Sequence, residues 1–267
     1  MSNEKLSRLQ NLCESLKGLT VGQVGWVEQV VQAFGKEHKF WRLDGSDLVS
    51  PCLLQDFGDA LRIHHCFSRE PFTKDKFEYA LERVANLCKV KAQLAPKGNP
   101  GHDITISEQR FSLKTQADKN LKPDKLHISK FMELGKGEWS DNDSDLLGLR
   151  EQFFKHMRSY DRILSLRSLV PDGVAKWHYE LVEIPKTLLM EAKRGQLRMA
   201  HESGQMPKPG YCDVTDKSGN LKFQLYFDGG TERKLQIRNL DKKYCTVHAT
   251  WEFVTAILEG NAERPVG

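Results

Sequence analysis

The stretch NPGHDITISEQRFSLKTQADKN, Asn99 to Asn120, carries the most chemistry per residue in this chain. It reads as two short strands. In DITI, Ile104 and Ile106 point to one face and Asp103 and Thr105 to the other. In RFSLK, Phe111 and Leu113 share a face, and Ser112 and Lys114 share the opposite one, the period-2 alternation of a strand. A turn centred on Glu108 and Gln109 places Asp103 opposite Lys114, with Cβ atoms about 4.5–5.5 Å apart. Glu-Gln is not a favoured two-residue hairpin turn, so the register rests on the alternation of faces and not on the turn residues.

A carboxylate and an ammonium side by side suit phosphodiester hydrolysis. Asp103 can ligate Mg²⁺, a hard cation held by one or two carboxylates together with phosphate oxygens and waters. Lys114 can orient an attacking water, or help deprotonate it, and can stabilise charge growing at phosphorus. Spacing alone also fits a surface ion pair worth only about 0–1 kcal/mol.

With 39% hydrophobic and 28% charged residues, the chain can bury a sizeable core, as one large domain or two small ones. The pattern favours a single domain over 1–267, with a helical hairpin at 3–34. The net charge of +4 is compatible with a polyanionic partner without demanding one. Six scattered cysteines without a CxxC pair read as reduced thiols of a cytoplasmic protein. The absence of an apolar run near 18 residues speaks against membrane spanning.

Leu6, Leu9, Leu12 and Leu16 recur at helical spacing, and Thr20-x-x-Gln23 is a capping-box start for a second helix. Residues 41–66 read as loop-rich, closing in a strand LRIHHCF; His64, His65 and Cys66 would then converge poorly on one metal ion. Thr73 to Lys89 is a helix with Phe77, Leu81, Val84 and Cys88 as its buried stripe. Glu78, beside that stripe, can aim a second carboxylate at the metal if the helix packs under the hairpin. Glu82 reads as a solvated charge. Lys119, Lys122, Lys125, Lys130 and Lys136 form a lysine-rich loop, and beside a phosphodiester site they become candidate backbone contacts. Leu149 to Leu164 reads as a helix, Trp177 to Ile184 as a strand, and Pro185 as the start of another helix. Leu221–Phe227 and Arg233–Arg238 form a hairpin about Asp228-Gly229-Gly230, YCTVHA is a strand, and Trp251–Leu258 a short final helix. Mixed hairpins and strand–helix units give an α/β sheet flanked by helices.

The blocks NPGHDITI, LKT, MELGKGEW, LVEIPK with LLMEAK, PKPGY and YFDGG-x-ERKLQI, with FGD and Lys74-x-x-Phe77-Glu78, resemble the type II restriction endonucleases. They run from about residue 57 to 251, most of the chain. The resemblance implies the PD-(D/E)xK nuclease fold with a catalytic core over that span, and Mg²⁺-dependent cleavage of double-stranded DNA at a short palindrome by a homodimer. It implies no organic cofactor. By position, Pro100 and Asp103 supply the Pro…Asp element and Lys114 the catalytic lysine. The residue two before the lysine is acidic in the general pattern, but here it is Ser112, so the second acidic ligand falls to Glu78. The backbone carbonyl of Leu113 is a further candidate metal ligand, and Gln116 could assist from the strand face of Lys114. The products implied carry 5′-phosphates, and the site suggested is a G/C-rich hexamer such as CCCGGG. Base reading needs Arg or Lys forked onto guanine, or Asn or Gln onto adenine; the candidates are Lys208, Arg233, Lys234, Gln236 and Arg238. A non-catalytic DNA binder and a structure-selective nuclease on the same fold remain the alternatives.

Overall fold

The structure, a computed structural model, describes residues 2–96, 98, 101–118, 121–135, 139–169 and 176–255. The chain runs through α1 (Asn3–Leu16), α2 (Val21–Gly35), β1 (His38–Arg42), α3 (Pro51–Phe67), α4 (Lys74–Leu87), β2 (Ala92–Leu94), β3 (Ile104–Ile106), β4 (Gln109–Gln116) and β5 (Lys125–Glu133). It continues through α5 (Asp145–His156), β6 (Arg162–Ser168), β7 (Lys176–Glu183), α6 (Lys186–Met190), β8 (Gln196–Met199), β9 (Gly210–Thr215), β10 (Leu221–Asp228), β11 (Lys234–Asp241) and β12 (Thr246–Val254).

Two sheets result. The larger has the order β1-β12-β7-β6-β4-β3-β2, and the smaller the order β5-β11-β10-β9-β8. β4 and β6 pair in parallel, with β5 and α5 in the crossover that a parallel pair requires. The remaining pairs of the large sheet are antiparallel. One face of this sheet packs on α3 and α4 through Phe57, Phe77, Phe111, Leu113 and Trp251. The other packs on α5 and the small sheet through Phe131, Phe153, Ile163, Val182 and Ile237. β4 alternates between them: Phe111 and Leu113 enter the first core, whereas Ser112, Lys114 and Gln116 face the second layer.

The helical hairpin forms as expected, and Thr20 and Gln23 close both arms of the capping box. Its apolar faces are only partly covered: α2 packs on α3, with Trp26 against Phe67 and Phe34 under Arg62, yet Leu6, Leu12, Trp26, Val31 and Phe34 are all exposed. No helix among the described residues is long and apolar enough to cross a membrane.

Several local expectations are corrected. LRIHHCF lies in α3, not in a strand. Ser50 caps that helix, Pro51 starts it, and Leu53, Phe57, Leu61 and His65 form its buried stripe at four-residue spacing. His65 is a core residue. It contacts the Tyr179 hydroxyl at 2.8 Å and stacks on Trp177, and burial pulls its pKa down to about 3. Half of the lysine-rich loop is strand β5. The helix expected to reach Leu164 ends at His156, and Leu164 belongs to β6, whose two faces are both buried. Trp251 to Val254 extends β12 rather than opening a helix. Glu82 is not merely solvated, because it accepts from the Leu94 backbone N–H at 2.8 Å. Cys52 and Cys88, expected as thiols, are joined by a disulfide that ties α3 to the end of α4.

Candidate active site

The β3–β4 turn consists of Ser107 and Glu108, both at positive φ (46° and 70°), as a two-residue hairpin with right-handed twist demands. The register pairs Ile104 with Phe111 and Ile106 with Gln109. Asp103 therefore lies across from Ser112, and the expected direct opposition of Asp103 and Lys114 is not found. The shift moves the partner by two residues, which leaves every side chain on its expected face.

The three groups still meet. The Ser112 hydroxyl donates to Asp103 Oδ2 at 3.3 Å and accepts from Lys114 Nζ at 2.9 Å. Asp103 Oδ2 also accepts the Leu113 backbone N–H at 2.6 Å. The serine thus links acid to lysine without adding a charge. α4 packs against β3 and β4 and brings Glu78 to the same site. Between the two carboxylates lies the ammonium of Lys74, 2.9 Å from Asp103 Oδ1 and 3.3 Å from Glu78 Oε1.

Burial sets the electrostatics. Lys114 is buried against the Phe131 ring, and its pKa falls to about 8. Desolvation drives that fall and Lys74 adds to it, while Asp103 and Glu78 oppose it. Burial likewise raises the Glu78 carboxyl, with Asp103 pushing the same way and Lys74 the opposite way. His156 and Tyr160 stand within electrostatic reach of this cluster, and burial lowers the first pKa to about 4 and raises the second. In the sequence, apolar periodicity with Leu149, Phe153 and Met157 marks Tyr160, and nothing marks His156.

The donor set suits a hard divalent cation: two carboxylates and a backbone carbonyl, with no sulfur or imidazole. In a strand, the N–H and C=O of one residue leave on the same edge. Leu113 gives its N–H to Asp103, so its carbonyl leaves on the Asp103 side too. The ammonium between Asp103 and Glu78 shows that this position already attracts positive charge. Gln116, by contrast, is committed elsewhere, because its side-chain oxygen accepts from Arg167 Nε at 3.0 Å.

The base-reading candidates divide. Gln236 and Arg238 lie on the polar face of the β10–β11 hairpin. Gln236 donates to Asp228 Oδ2 at 3.0 Å and accepts from Arg238 Nε at 2.9 Å. The Arg238 guanidinium lies 3.5 Å over the Tyr226 ring. Lys234 pairs with Glu232, and Arg233 lies over the Trp139 ring. Lys208 is tied into its own loop by donating to the Ser203 carbonyl. That loop meets the hairpin turn so closely that a Cβ on Gly229 would lie 2.0 Å from the Pro207 oxygen. Lys130 is engaged by Glu133 and Glu232. Pro100, Lys119 and Lys136 lie outside the described residues.

Comparison with known proteins identifies the family. The chain is 44% identical over 225 residues, 84% of its length, to the type II restriction enzyme SmaI of Serratia marcescens, of which the match covers 88%. No solved structure matches it. The family model for SmaI, type II site-specific deoxyribonuclease, matches residues 12–253. With so much of its length matched, the chain belongs to the SmaI family of type II site-specific deoxyribonucleases.

Proposed function

We propose that this restriction endonuclease cuts duplex DNA with Mg²⁺ at the site built from Asp103, Glu78, Leu113 and Lys114, in a PD-(D/E)xK arrangement. The observation that carries the reading is the Asp103–Ser112–Lys114 chain with Glu78 presented beside it from α4. Asp103, Glu78 and the Leu113 carbonyl would hold the metal. When bound, it would polarise the scissile phosphate and acidify a water. Asp103 is fixed by two donors on Oδ2, which leaves Oδ1 facing the site. Ser112 keeps the Lys114 ammonium turned toward Asp103, where it can position the attacking water and counter charge growing on the phosphate. The Phe131 ring lies over the Lys114 ammonium, and burial of that lysine keeps bulk water away from it. In-line attack would leave 5′-phosphate and 3′-hydroxyl ends.

Arg238 is the best-placed base reader, because its hydrogen-bonded and stacked guanidinium is oriented before DNA arrives; Gln236, buried and engaged at both ends of its amide, orients it. A G/C-rich palindrome such as CCCGGG is the proposed target, and a guanidinium suits its guanines. A palindrome cut on both strands by one site per chain calls for a two-fold homodimer. The part of the apolar face of α1 and α2 left exposed is the surface that supports this, and sedimentation of a Trp26→Asp variant tests it. The large sheet takes part in both cores, which supports a single endonuclease domain.

A plasmid digest with and without Mg²⁺, for the wild type and Asp103→Ala, with fragment ends sequenced, tests the whole reading. Discrete Mg²⁺-dependent fragments lost in the variant are expected. Fragments that persist in Asp103→Ala would show that the metal is held elsewhere.

A further inference from the structure

Lys74 is the first residue of α4. A cation there opposes the helix dipole, and the preceding Thr73 makes no side-chain cap bond. Neither dipole nor cap favours a cation there; what holds it are Glu78 one turn on and Asp103 from the hairpin. Asp103 Oδ2 is occupied by Ser112 and Leu113, so Oδ1 is the oxygen left for a metal, and Oδ1 is the atom Lys74 holds at 2.9 Å. The same ammonium reaches Glu78 at 3.3 Å. An ammonium has only donors and cannot join a metal's ligand shell, while Mg²⁺ needs its oxygens at about 2.0–2.1 Å. Lysine and metal therefore compete for one position. Lys74 is also free to leave, since its side chain is 44% exposed against 18% for Asp103 and 21% for Glu78, and it sits on a flexible four-carbon stem.

We infer that Lys74 is a resident counter-cation of the site: it quiets the two carboxylates in the free enzyme and must release them before a divalent metal enters. A DNA phosphate offers the displaced ammonium a new anion, so the lysine couples metal entry to DNA arrival. The inference rests on the metal site proposed above.

The test is Mn²⁺ binding to the full-length, DNA-free protein, followed by the free-Mn²⁺ electron paramagnetic resonance signal, for the wild type, Lys74→Met and Asp103→Ala. Lys74→Met should bind Mn²⁺ about two- to fivefold more tightly, the scale of breaking a partly exposed ion pair. Its metal-free melting temperature should fall below that of the wild type, and Mn²⁺ should close the gap. Equal or weaker Mn²⁺ binding by Lys74→Met would overturn the inference. Wild-type Mn²⁺ binding by Asp103→Ala would instead show that the metal-site reading itself is wrong. The coupling is read separately, from duplex affinity by anisotropy with and without Ca²⁺. Ca²⁺ should tighten duplex binding by a larger factor in the wild type than in Lys74→Met, because coupling is reciprocal. An equal factor in both would overturn the coupling.

Discussion

Lys114 donates to Ser112 across 2.9 Å, and through that hydroxyl it is tied to Asp103. All three side chains sit on one face of the β3–β4 hairpin, and both Ser112 and Lys114 are buried. Ser112→Ala would leave the buried lysine without this partner. Hydrogen bonds to charged groups are worth about 1.5–3 kcal/mol, so single-turnover cleavage should slow by roughly 10- to 100-fold. Duplex affinity in the absence of metal should change little. An unchanged rate would show that the lysine does not need the serine to be aimed.

A second buried polar cluster governs acid stability rather than chemistry. Glu183 accepts from His248 Nε2 at 2.8 Å and from Arg162, which also grips Asp47. His248 Nδ1 contacts the Ser46 hydroxyl at 2.8 Å, a serine–histidine–glutamate order that resembles a hydrolytic triad. Ser46 is already engaged by the Leu48 and Val49 backbone N–H groups, and Arg162 occupies the glutamate, so the arrangement pins the 43–50 loop to β12. Burial acts to raise the Glu183 pKa, but the hydrogen bonds from His248 and Arg162 outweigh it and hold the group at about 2, below the ordinary 4.5. A depressed carboxylate stabilises the fold above its unfolded pKa and loses that contribution as pH falls through the folded value. About 2–3 kcal/mol should therefore disappear between roughly pH 5 and pH 2. Urea unfolding across that range should show the loss in the wild type and a flatter profile in Glu183→Gln, which would be less stable at pH 7.

Arg238 is oriented by two contacts, Gln236 on its Nε and the Tyr226 ring beneath it. A guanidinium fixed this way presents a planar fork, the shape that matches guanine O6 and N7. Arg238→Ala should cost about 1–3 kcal/mol of specific duplex binding and weaken discrimination against substituted sites, with little effect on non-specific DNA. Arg238→Lys should not restore discrimination, because an ammonium has no fork. Gln236→Ala should give a smaller loss in the same direction, since it frees Arg238 without removing it. Competition binding with matched and single-substituted duplexes measures all three, and a uniform loss across sequences would make Arg238 a phosphate contact.

The sequence made some of this plain and hid the rest for identifiable reasons. The faces of β3 and β4 follow from Ile104, Ile106, Phe111 and Leu113. The register does not, because a two-residue shift keeps each residue on its face; only the left-handed backbone at Ser107 and Glu108 decides it. Leu149, Phe153, Met157, Tyr160 and Leu164 stay in helical phase although the helix stops at His156, since the last two are buried in their own right. In LRIHHCF the local composition imitates a strand, while the evidence for a helix begins upstream at Ser50 and Pro51. Trp251 and Phe253 are the buried members of an alternating strand, a pattern too short to distinguish from a helix turn. Glu78 could be anticipated because, of the carboxylates on the helix beside the hairpin, it borders the buried stripe next to Phe77. Lys74 could not, because its partner Asp103 is 29 residues away and no local pattern links them.

Arg167 shows how the end of β4 is held in place. It is fully buried, donates to Gln116 at 3.0 Å and to Glu180 at 2.7 Å, and also reaches the carbonyls of Lys122 and Lys125. One guanidinium thereby joins the strand carrying Lys114 to the segment entering β5, whose Phe131 covers that lysine. Its removal would orphan several buried acceptors at once, although Lys242 still faces Glu180. Deleting one partner of a buried ion pair typically costs about 3–5 kcal/mol, so Arg167→Met should lower stability by that order despite its similar volume. Arg167→Met with Glu180→Met should recover part of the loss, since the buried Glu180 carboxylate is then gone, and the Lys242 ammonium it leaves behind is partly exposed and can turn to solvent. Thermal melts of the single and double variants supply the comparison, and a double variant as unstable as the single would place the cost in the backbone carbonyls rather than in Glu180.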